Sequence, residues 1–439
     1  MFRQIAKKII VAIIRFEAKI VLKKYRPKII GITGSVGKTG TKDAVAQVLA
    51  SRFSVRKSPK SFNSEFGVPL TILNCDNAWY NLGGWIRNIL EGFSLIVFRT
   101  EYPEWLVLEV GADRPGDIRD TVSYVPFDLV IITRLPEVLP HVEFFTSNEQ
   151  LVAEKLLLAR AVKSSGTVLL NFDDPKIMAV AGELQAQMVT YGWGNSASVR
   201  GSSETIMYQE AEGGVKIPDG LSLRVDYQGS TMPFRLRGIY AHHQLYGILA
   251  AISAGLTLGL NMVEIGTALE SLEATPGRFK LLPGIKDSLV IDDSYNSSPA
   301  ALDSALDTLD KFECAGRKIA ILGDMLELGS HTAEAHRAAG AHAAKVCDNL
   351  ITVGIRAKFI SEEAEHKKMS KKKMLHFATA EEAAEAAREL IKPHDLVLVK
   401  GSQGVRLEKV VEAIMAQPEL KNKLLVRQEP EWHKIKASA

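Results

Sequence analysis

The stretch that decides the fold is Lys28–Leu49, KIIGITGSVGKTGTKDAVAQVL. It opens with the apolar residues of a short buried strand, turns through a glycine-rich loop, and continues with the apolar spacing of a helix. This order predicts a site for the phosphates of ATP, because glycines let backbone N–H groups face an anion and a helix N-terminus adds partial positive charge. The loop residues expected to contact ATP are Thr33, Gly34, Ser35, Val36, Gly37, Lys38 and Thr39.

Two side chains of this loop carry specific chemistry. Lys38 is expected to reach the β- and γ-phosphates, and the Thr39 hydroxyl is expected to bind Mg²⁺. The common pattern has its first glycine five residues before the second, and Ile32 occupies that position here. The loop is therefore a variant. An ordinary glycine-rich turn is the alternative, and the flanking strand and helix favour the phosphate site.

Length and composition set the class of protein. The 439 residues suffice for two or three domains, and 46% hydrophobic with 24% charged residues is typical of a soluble globular protein. A net charge of +3 is too small to indicate a nucleic-acid partner. The three cysteines are widely spaced and form no metal-binding pattern, and their odd number favours the reducing cytoplasm.

The first 27 residues form a basic amphipathic segment. Its apolar core is too short to span a bilayer, and no small-residue cleavage site follows it. One interpretation is a helix lying on an anionic membrane, at the inner face. The other, which we favour, is a helix that packs its apolar side on the next domain. Against one acid, Glu17, residues 1–28 carry the basic residues Arg3, Lys7, Lys8, Arg15, Lys19, Lys23, Lys24, Arg26 and Lys28.

From Ile29 onward, apolar strand patterns alternate with helical patterns, which predicts an α/β fold with mostly parallel sheets. Residues 196–237 instead suggest a small antiparallel excursion on the first domain. The predicted division is an N-terminal helix at 1–27, a central ATP-binding domain at 28–275 and a C-terminal Rossmann-like domain at 276–439. The predicted strands are Leu106–Val110, Leu129–Thr133, Thr167–Asn171, Leu289–Asp292, Lys318–Leu322, Leu350–Val353 and Leu396–Lys400. The predicted helices include Glu149–Lys163, His242–Leu258, Ala300–Lys311, His336–Cys347 and Ala380–Ile391.

Residues 77–103 are unusually apolar for a segment between two strands. A pair of helices contacting a membrane or a partner is one interpretation. Ordinary packing onto the sheet is the other, and we favour it.

Three chemically active residues follow the phosphate loop. Glu109 closes a predicted strand, His141 follows the next strand, and Lys155 lies on the helix after that. The carboxyl ends of parallel strands are where α/β enzymes bind substrates. A carboxylate, an imidazole and the Thr39 hydroxyl are plausible ligands for a hard cation.

The motifs that follow one another along the chain resemble those of the Mur ligase family, from about Lys28 to about Val411. Singly these motifs are weak, and together in this order they are specific. They are most similar to those of the ligases that add D-alanyl-D-alanine to a muramoyl-tripeptide. The motifs are TGSVGKT, LEVGADRPGDI, PHVEFFTSNEQLVAEK, PGR, DDSYNSSP, ILGDMLELG and VKGS.

The resemblance implies an ATP-dependent amide ligase of peptidoglycan precursor synthesis. ATP phosphorylates a substrate carboxylate to an acyl phosphate, and an amine then displaces the phosphate. Two Mg²⁺ ions neutralise charge. By position, the resemblance implies Thr39 and Glu109 as Mg²⁺ ligands, His141 as a ligand of the second ion, and Lys155 as a lysine carbamylated by CO₂, which turns a cation into an anionic ligand.

The resemblance also assigns residues further along the chain. It implies Arg278 at a hinge and in contact with the nucleotide phosphates, and Asp292 and Asp293 near the ribose. On the substrate side it implies Tyr295, Asn296, Lys400, Gly401 and Ser402, together with Asn63 in the loop Phe62–Pro69. Plain structural turns are the alternatives for Asp292–Pro299 and Lys400–Ser402.

Three features of the sequence depart from the family pattern. Family members begin with a uridine-nucleotide-binding domain, whereas about 28 residues precede the phosphate loop here. The donor is then expected to be held by the remaining domains or by a partner, or to be a different or lipid-linked muropeptide. In the adenine-binding signature, Gln244 replaces one amide and Gly247 cannot replace the other. The asparagine-rich loop reads Ser61-Phe62-Asn63-Ser64 and so loses two amides, at Ser61 and Ser64.

Two alternative functions stay open at this point. One is another ligase of the superfamily, such as a folylpolyglutamate-synthase-like enzyme, which also begins at the ATPase domain. The other is a nucleotide-binding scaffold without ligase chemistry, which would need neither a second metal nor a carbamylated lysine.

Overall fold

The computed structural model describes residues 2–59, 61–112, 114–135, 145, 147–210 and 214–433. The chain forms two α/β units, each built on one sheet. The helices are α1 Phe2–Tyr25, α2 Lys38–Ala50, α3 Gly67–Leu73, α4 Leu82–Val97, α5 Asp117–Val122, α6 Asn148–Arg160, α7 Pro175–Met178, α8 His242–Thr257, α9 Met262–Glu270, α10 Pro299–Lys311, α11 Thr332–Val346, α12 Lys358–His366, α13 Ala380–Leu390, α14 Glu408–Ile414, α15 Lys421–Leu424 and α16 Pro430–His433.

The first sheet has nine strands in the order β2-β3-β1-β4-β5-β6-β7-β8-β9. Strands β2 to β7 pair in parallel, and β7, β8 and β9 pair antiparallel. The predicted antiparallel excursion therefore exists, as a continuation of the main sheet. The strands are β1 Lys28–Thr33, β2 Val55–Lys57, β3 Trp105–Glu109, β4 Leu129–Ile132, β5 Thr167–Asn171, β6 Gln187–Gly192, β7 Val199–Glu210, β8 Lys216–Tyr227 and β9 Ser230–Leu236.

The second sheet has six strands in the order β10-β11-β15-β12-β13-β14, and all its pairings are parallel except that between β10 and β11. The predicted α/β fold with mostly parallel sheets is confirmed. The chain passes from the first sheet to the second between Glu270 and Lys280. The strands are β10 Lys280–Pro283, β11 Leu289–Asp293, β12 Lys318–Gly323, β13 Asn349–Val353, β14 Met374–Phe377 and β15 Leu396–Lys400.

Helices cover both faces of the first sheet. One core holds buried residues of α1, α3, α4, α5 and α6, and the other holds those of α2, α8 and α9. This double cover explains why the parallel strands read as continuous apolar runs. Because β1 lies between β3 and β4, the chain changes direction across the sheet at β1. Ligands bind at such switch points in open α/β sheets.

The basic helix α1 packs on α3 and α4. Its residues Ile14, Ala18 and Val21 are completely buried in the first core, and Phe16 remains 65% exposed. This is the packing that the sequence analysis favoured for the N-terminal segment. No helix in the described ranges is both long enough and apolar enough to cross a membrane.

The structure corrects the expectation for residues 77–103. They contain one helix, α4, and this helix packs against α1 and α3 rather than flat on the sheet. Only Trp85, Asn88 and Gly92 of α4 are buried. Most of its apolar side chains face outward.

Candidate active site

The phosphate loop joins the carboxyl end of β1 to the start of α2. Gly34 and Gly37 both have positive φ, at 141° and 87°. A side chain at Gly34 would put its Cβ 2.0 Å from Thr133 Oγ1, so the close approach of β4 requires glycine there. Thr133 Oγ1 donates to the Val36 carbonyl at 2.7 Å, which fixes the loop on the neighbouring strand. The predicted strand, loop and helix are confirmed.

Lys38 and Lys155 meet at this loop from different elements. The Lys38 ammonium donates to the Gly34 carbonyl at 2.9 Å, and the Lys155 ammonium donates to the same oxygen at 3.3 Å. Lys155 lies on α6 and is 3% exposed. Lys155 is therefore buried beside the phosphate loop and is not a solvent-exposed lysine of α6.

A carboxylate completes the inner part of the site. The parallel register sets Glu109 beside Ile32, at the carboxyl ends of β3 and β1. The Thr39 hydroxyl donates to Glu109 Oε2 at 3.0 Å, and the Asn63 amide donates to Glu109 Oε1 at 3.0 Å. Ser61 Oγ lies 3.2 Å from Thr39 Oγ1. The loop that contains Asn63 therefore contacts the predicted metal ligands directly.

The oxygen atoms around Glu109 fit a hard cation. A carboxylate and a hydroxyl within hydrogen-bond distance are ligands that Mg²⁺ prefers, and both are nearly completely buried. His141 lies outside the described residues, so its predicted role remains a prediction. Within the described part of the chain, no three His, Cys, Asp or Glu side chains converge as a metal-binding group. A second ion would need His141 and a carbamylated Lys155, neither of which the geometry tests.

Sequence reasoning missed Lys42. Its ammonium is 1% exposed and lies 4.0 Å from Glu109 Oε2 and 3.6 Å from Asp43 Oδ1. Burial lowers the Lys42 pKa, against the opposing effect of both carboxylates. The available signal was its position three residues after Thr39, which puts both side chains on one face of α2.

Arg278 links the two sheets. It follows Gly277, whose φ is 70°, and its guanidinium lies 4.0 Å from the centroid of the Tyr295 ring. Arg278 Nη2 donates to Thr39 Oγ1 at 3.4 Å. An arginine from the start of the second unit therefore reaches the phosphate loop, and its contact with the nucleotide phosphates stays a prediction.

In this structure the Gln244 side chain of α8 binds backbone groups of the protein. The Gln244 side-chain oxygen accepts from the backbone N–H groups of Tyr240 and Ala241, and its amide nitrogen donates to the Arg278 carbonyl at 3.1 Å. Gln244 thus caps α8 and binds the backbone of Arg278, and its contact with adenine stays a prediction. At Gly247 a Cβ would lie 3.0 Å from Thr41 Oγ1, so close helix packing accounts for the glycine.

The carboxyl ends of the parallel strands β11 and β15 lie side by side in the second sheet. Asp293 Oδ2 and Lys400 Nζ form an ion pair at 2.7 Å, and Lys400 also donates to the Asn296 carbonyl at 3.0 Å. Asp292 instead accepts from the Gly277 N–H at 3.0 Å and from the Ser294 hydroxyl. Burial raises the Asp292 pKa to about 6 and also raises that of Asp293, where Lys400 opposes it.

These contacts divide the predicted residues of the second unit. Asp293, Asn296 and Lys400 line the cleft with the phosphate loop, whereas Asp292 accepts from the backbone of Gly277 in the segment that joins the two sheets. The Ser402 hydroxyl accepts from the Leu326 N–H at 2.9 Å, so the Lys400–Ser402 turn also has a structural role. The direct binding roles of Asp292, Gly401 and Ser402 remain predictions.

His243 of α8 lines the cleft and contacts the second unit. Its Nδ1 lies 3.0 Å from Ser304 Oγ on α10. Burial lowers the His243 pKa to about 3, and the charges of Lys400, Arg134 and Arg278 act in the same direction. The imidazole is therefore neutral at physiological pH. The cleft is lined by residues of the phosphate loop, α2, α8, the 272–278 segment, the loop after β11 and β15.

Comparison with known proteins places this geometry in a family. The sequence model of the Mur ligase middle domain matches residues 89–255, and that of the Mur ligase, glutamate ligase domain matches residues 277–403. The UDP-N-acetylmuramoyl-tripeptide–D-alanyl-D-alanine ligase of Bacillus subtilis (strain 168) is 28% identical over 404 residues, which are 91% of this chain and 79% of that protein. The enzyme of the same name from Escherichia coli (strain K12) is 25% identical and covers 88% and 76%.

Solved structures agree with the sequence matches. The MurF ligase of Thermotoga maritima in complex with ADP superimposes with a TM-score of 0.73 at 26% identity, covering 92% of this chain and 83% of that one. The folylpolyglutamate synthase of Mycobacterium tuberculosis superimposes with a TM-score of 0.63 at 13% identity, covering 91% and 94%. The latter match shows a shared fold.

Proposed function

This chain belongs to the Mur ligase family, and we propose that it is an ATP-dependent, ADP-forming ligase that adds D-alanyl-D-alanine to a UDP-muramoyl-tripeptide or a related muropeptide. The relatives that carry this activity in their names match about nine tenths of the chain. The reaction would provide a precursor for peptidoglycan.

The observation that carries the proposal is the meeting of two strand ends across one cleft. The phosphate loop and Glu109 come from the first sheet, and Arg278, Asp293 and Lys400 come from the second unit. A ligase of this kind must hold ATP, an acid and an amine together. A cleft between two units, with phosphate-binding groups on one side and charged groups on the other, provides separate walls for them.

For the first half-reaction, this chain would supply positioning and positive charge. The glycine loop and Lys38 would hold the phosphates, and Arg278 would approach the same phosphates from the second unit. The γ-phosphoryl group passes to a carboxylate oxygen of the muropeptide, which gives an acyl phosphate and ADP. Thr39 and Glu109 would hold Mg²⁺, and Mg²⁺ supplies neutralisation of phosphate charge when it is bound.

For the second half-reaction, the amine of D-alanyl-D-alanine attacks the acyl carbon, and phosphate leaves. We propose that Lys400 and Asn296, with Tyr295, Gly401 and Ser402 nearby, receive the acceptor, and that Asn63 contacts the donor. Support comes from the position of Lys400 and Asn296 in the cleft.

We also propose that Lys155 is carbamylated and, with His141, contributes to a second metal site. The burial of Lys155 beside the phosphate loop supports this role.

We place the enzyme in the cytoplasm, where ATP is available, with residues 1–28 in contact with the inner face of the membrane. The seven basic residues of α1 and its single, buried acid support that contact.

Phosphate release by the purified protein tests the ligase. With ATP, Mg²⁺ and UDP-muramoyl-tripeptide present, we expect the release of phosphate to require D-alanyl-D-alanine. We also expect the muropeptide product to be heavier than the donor by one D-alanyl-D-alanine residue unit. Release with a folate substrate and glutamate would identify a folylpolyglutamate-synthase-like enzyme and overturn the proposal. Binding of ATP without turnover on any of these acids, or on a lipid-linked muropeptide, would favour a nucleotide-binding scaffold.

A further inference from the structure

Helix α4 exposes an apolar stripe along its whole length. Its buried positions are Trp85, Asn88 and Gly92, which all lie on one side. The opposite side carries Leu82, Ile86, Leu90, Phe93 and Val97, at spacings of three and four residues, and Phe98 follows at its end. Each of these six side chains is between 53% and 68% exposed. A stripe of this length on a water-soluble helix indicates a surface that another apolar phase covers.

Helix α1 packs against α4 and exposes apolar side chains of its own. Glu17 lies under Gly92, and Lys24 donates to the carbonyls of Leu95 and Ile96 at the end of α4. Both helices contact α3, and α3 contacts β3, so α1 and α4 form an outer layer over α3. Two side chains of α1 face outward with comparable exposure, Ile9 and Phe16. We call these two residues and the six of α4 the α1–α4 surface.

Positive charge borders the α1–α4 surface. Lys8, Lys19 and Lys23 of α1 are exposed, whereas Glu17, the only acid of α1, is buried. A groove beside the C-terminal end of α1 is lined by Lys19, Lys23 and Arg26, together with Ser123 and Lys163. Lys163 is paired with Asp128 at 2.7 Å, which leaves the three α1-side cations as the net charge of the groove.

We infer that the α1–α4 surface docks this protein on a bilayer that contains anionic lipids. An apolar stripe beside a basic border is the pattern of helices that lie in the plane of a membrane interface. The apolar side chains would enter the acyl boundary, and the lysines and Arg26 would meet lipid phosphates. Charge complementarity favours anionic lipid over a second copy of this chain, because two copies would bring their lysines together. Docking does not depend on the ligase activity proposed above.

Vesicle flotation tests the inference with the full chain. We expect binding to phosphatidylcholine vesicles that contain phosphatidylglycerol, and binding that weakens as salt is raised. Leu90→Glu/Phe93→Glu should bind at least about tenfold more weakly, since each side chain loses its burial in the apolar phase. The matched control is Val263→Glu/Ile355→Glu, which changes the same charge at two exposed apolar residues elsewhere and should bind like the wild type.

A second pair of variants tests the basic border. Lys19→Glu/Lys23→Glu should lose about tenfold or more of the affinity for anionic vesicles. The control Lys372→Glu/Lys373→Glu reverses two exposed lysines of the second unit and should have no such effect. Thermal unfolding of all four variants checks that each is folded.

Three results would overturn the inference. They are wild-type protein that stays unbound with anionic vesicles at low salt, equal binding to vesicles of phosphatidylcholine alone, and undiminished binding of folded Leu90→Glu/Phe93→Glu. If this variant converts a dimer to a monomer in vesicle-free solution, the surface joins two copies instead. Phosphate release by the same variant with soluble substrates separates docking from the ligase reaction, because docking predicts unchanged turnover there.

Discussion

At the scale of single residues, the Glu109 carboxylate ties three parts of the site together. It accepts from Thr39 of the phosphate loop and from Asn63 of the neighbouring loop, and Lys42 lies 4.0 Å away. The negative charge of Glu109 is what suits it to hold Mg²⁺. A glutamine amide in its place would be a far weaker ligand for a hard cation.

We therefore expect Glu109→Gln to lower turnover by about 10²–10³-fold, in line with the loss of one electrostatic group from a phosphoryl-transfer site. The measurement is the rate of phosphate release as a function of Mg²⁺ concentration. Glu101→Gln, an exposed acid four residues before β3, is the control. Wild-type rates and Mg²⁺ dependence in Glu109→Gln would remove this residue from the metal site.

Lys155 gives a prediction with a chemical rescue. Lys155→Ala should abolish ligation, and short-chain carboxylic acids should restore part of it, because a small carboxylate can occupy the place of the carbamate. Lys163→Ala, in which an exposed lysine of the same region is removed, should retain activity and show no response to added acid. Lost activity without rescue would indicate that the buried ammonium itself is needed.

Several residues that the sequence motifs named lie close together in the structure, and their roles stay predictions. Thr39, Glu109, Arg278 and Lys400 all approach one cleft. Lys42 could not be distinguished from a solvated helix lysine, because its burial depends on tertiary packing and on the Glu109 carboxylate that the fold brings to it. Asp292 was expected at the nucleotide, and its bonds to the hinge backbone depend on a pairing of β10 with β11 that no local pattern shows.

At the scale of elements, the contact between α1 and α4 contains a buried acid. Glu17 Oε2 has no hydrogen-bond partner among the described residues, and a Cβ on Gly92 would come within 2.4 Å of it. Burial raises the pKa of Glu17 from 4.5 to about 7. The folded chain therefore keeps a proton at pH values where the unfolded chain has lost it. This contribution to stability is fully present below pH 4.5 and is lost as the pH rises to about 7.

Glu17→Gln should consequently be more stable than the wild type at pH 8, by about 1–3 kcal/mol, with the difference vanishing near pH 4. Chemical unfolding at a series of pH values measures it. Glu270→Gln, at an exposed acid of α9, should leave the pH profile unchanged. An identical profile for Glu17→Gln and the wild type would show that this carboxyl is hydrated in the folded state.

Elements were predictable where one side of each was buried. The central strands of both sheets and the helices named from the sequence follow from apolar spacing, with differences of a few residues at their ends. Strands β2, β6, β10 and β14 were not predicted. Helix α4 was assigned to ordinary packing because an apolar segment is most often covered. Its stripe faces outward because α1 and α3 already occupy its inner side, and that occupation depends on tertiary contacts.

At the scale of the whole molecule, Gly277 lies between the two units. Its φ of 70° disfavours any other residue, and a Cβ there would be 3.0 Å from Val426 and 3.1 Å from Tyr295. Ligases that close over ATP need such a segment to change conformation. The segment 275–278 is accordingly the hinge that we propose.

The variants Gly277→Ala and Gly259→Ala test whether the 275–278 segment has a role in turnover beyond the backbone strain that any residue other than glycine has at positive φ. Both glycines have positive φ, and a Cβ at Gly259 meets nothing within 4 Å. Gly259→Ala should lose about 1 kcal/mol of stability from its positive φ alone, and Gly277→Ala should lose more because its Cβ is also crowded. Only Gly277→Ala should also lose turnover, by about tenfold or more. Thermal unfolding and phosphate release measure the two effects. Equal turnover in the two variants would show that the 275–278 segment does not govern closure.

The order of α1 and α4 along the chain has a consequence during synthesis. Helix α1 leaves the ribosome before α3 and α4, and the end of α4 follows the end of α1 by roughly 70 residues. At about 5–20 residues per second, several seconds pass before α3 and α4 can cover Ile14, Ala18 and Val21. During that interval the nascent basic helix presents its apolar side to its surroundings. The same segment that later packs in the core can thus meet a lipid surface before the helices that cover it have been made.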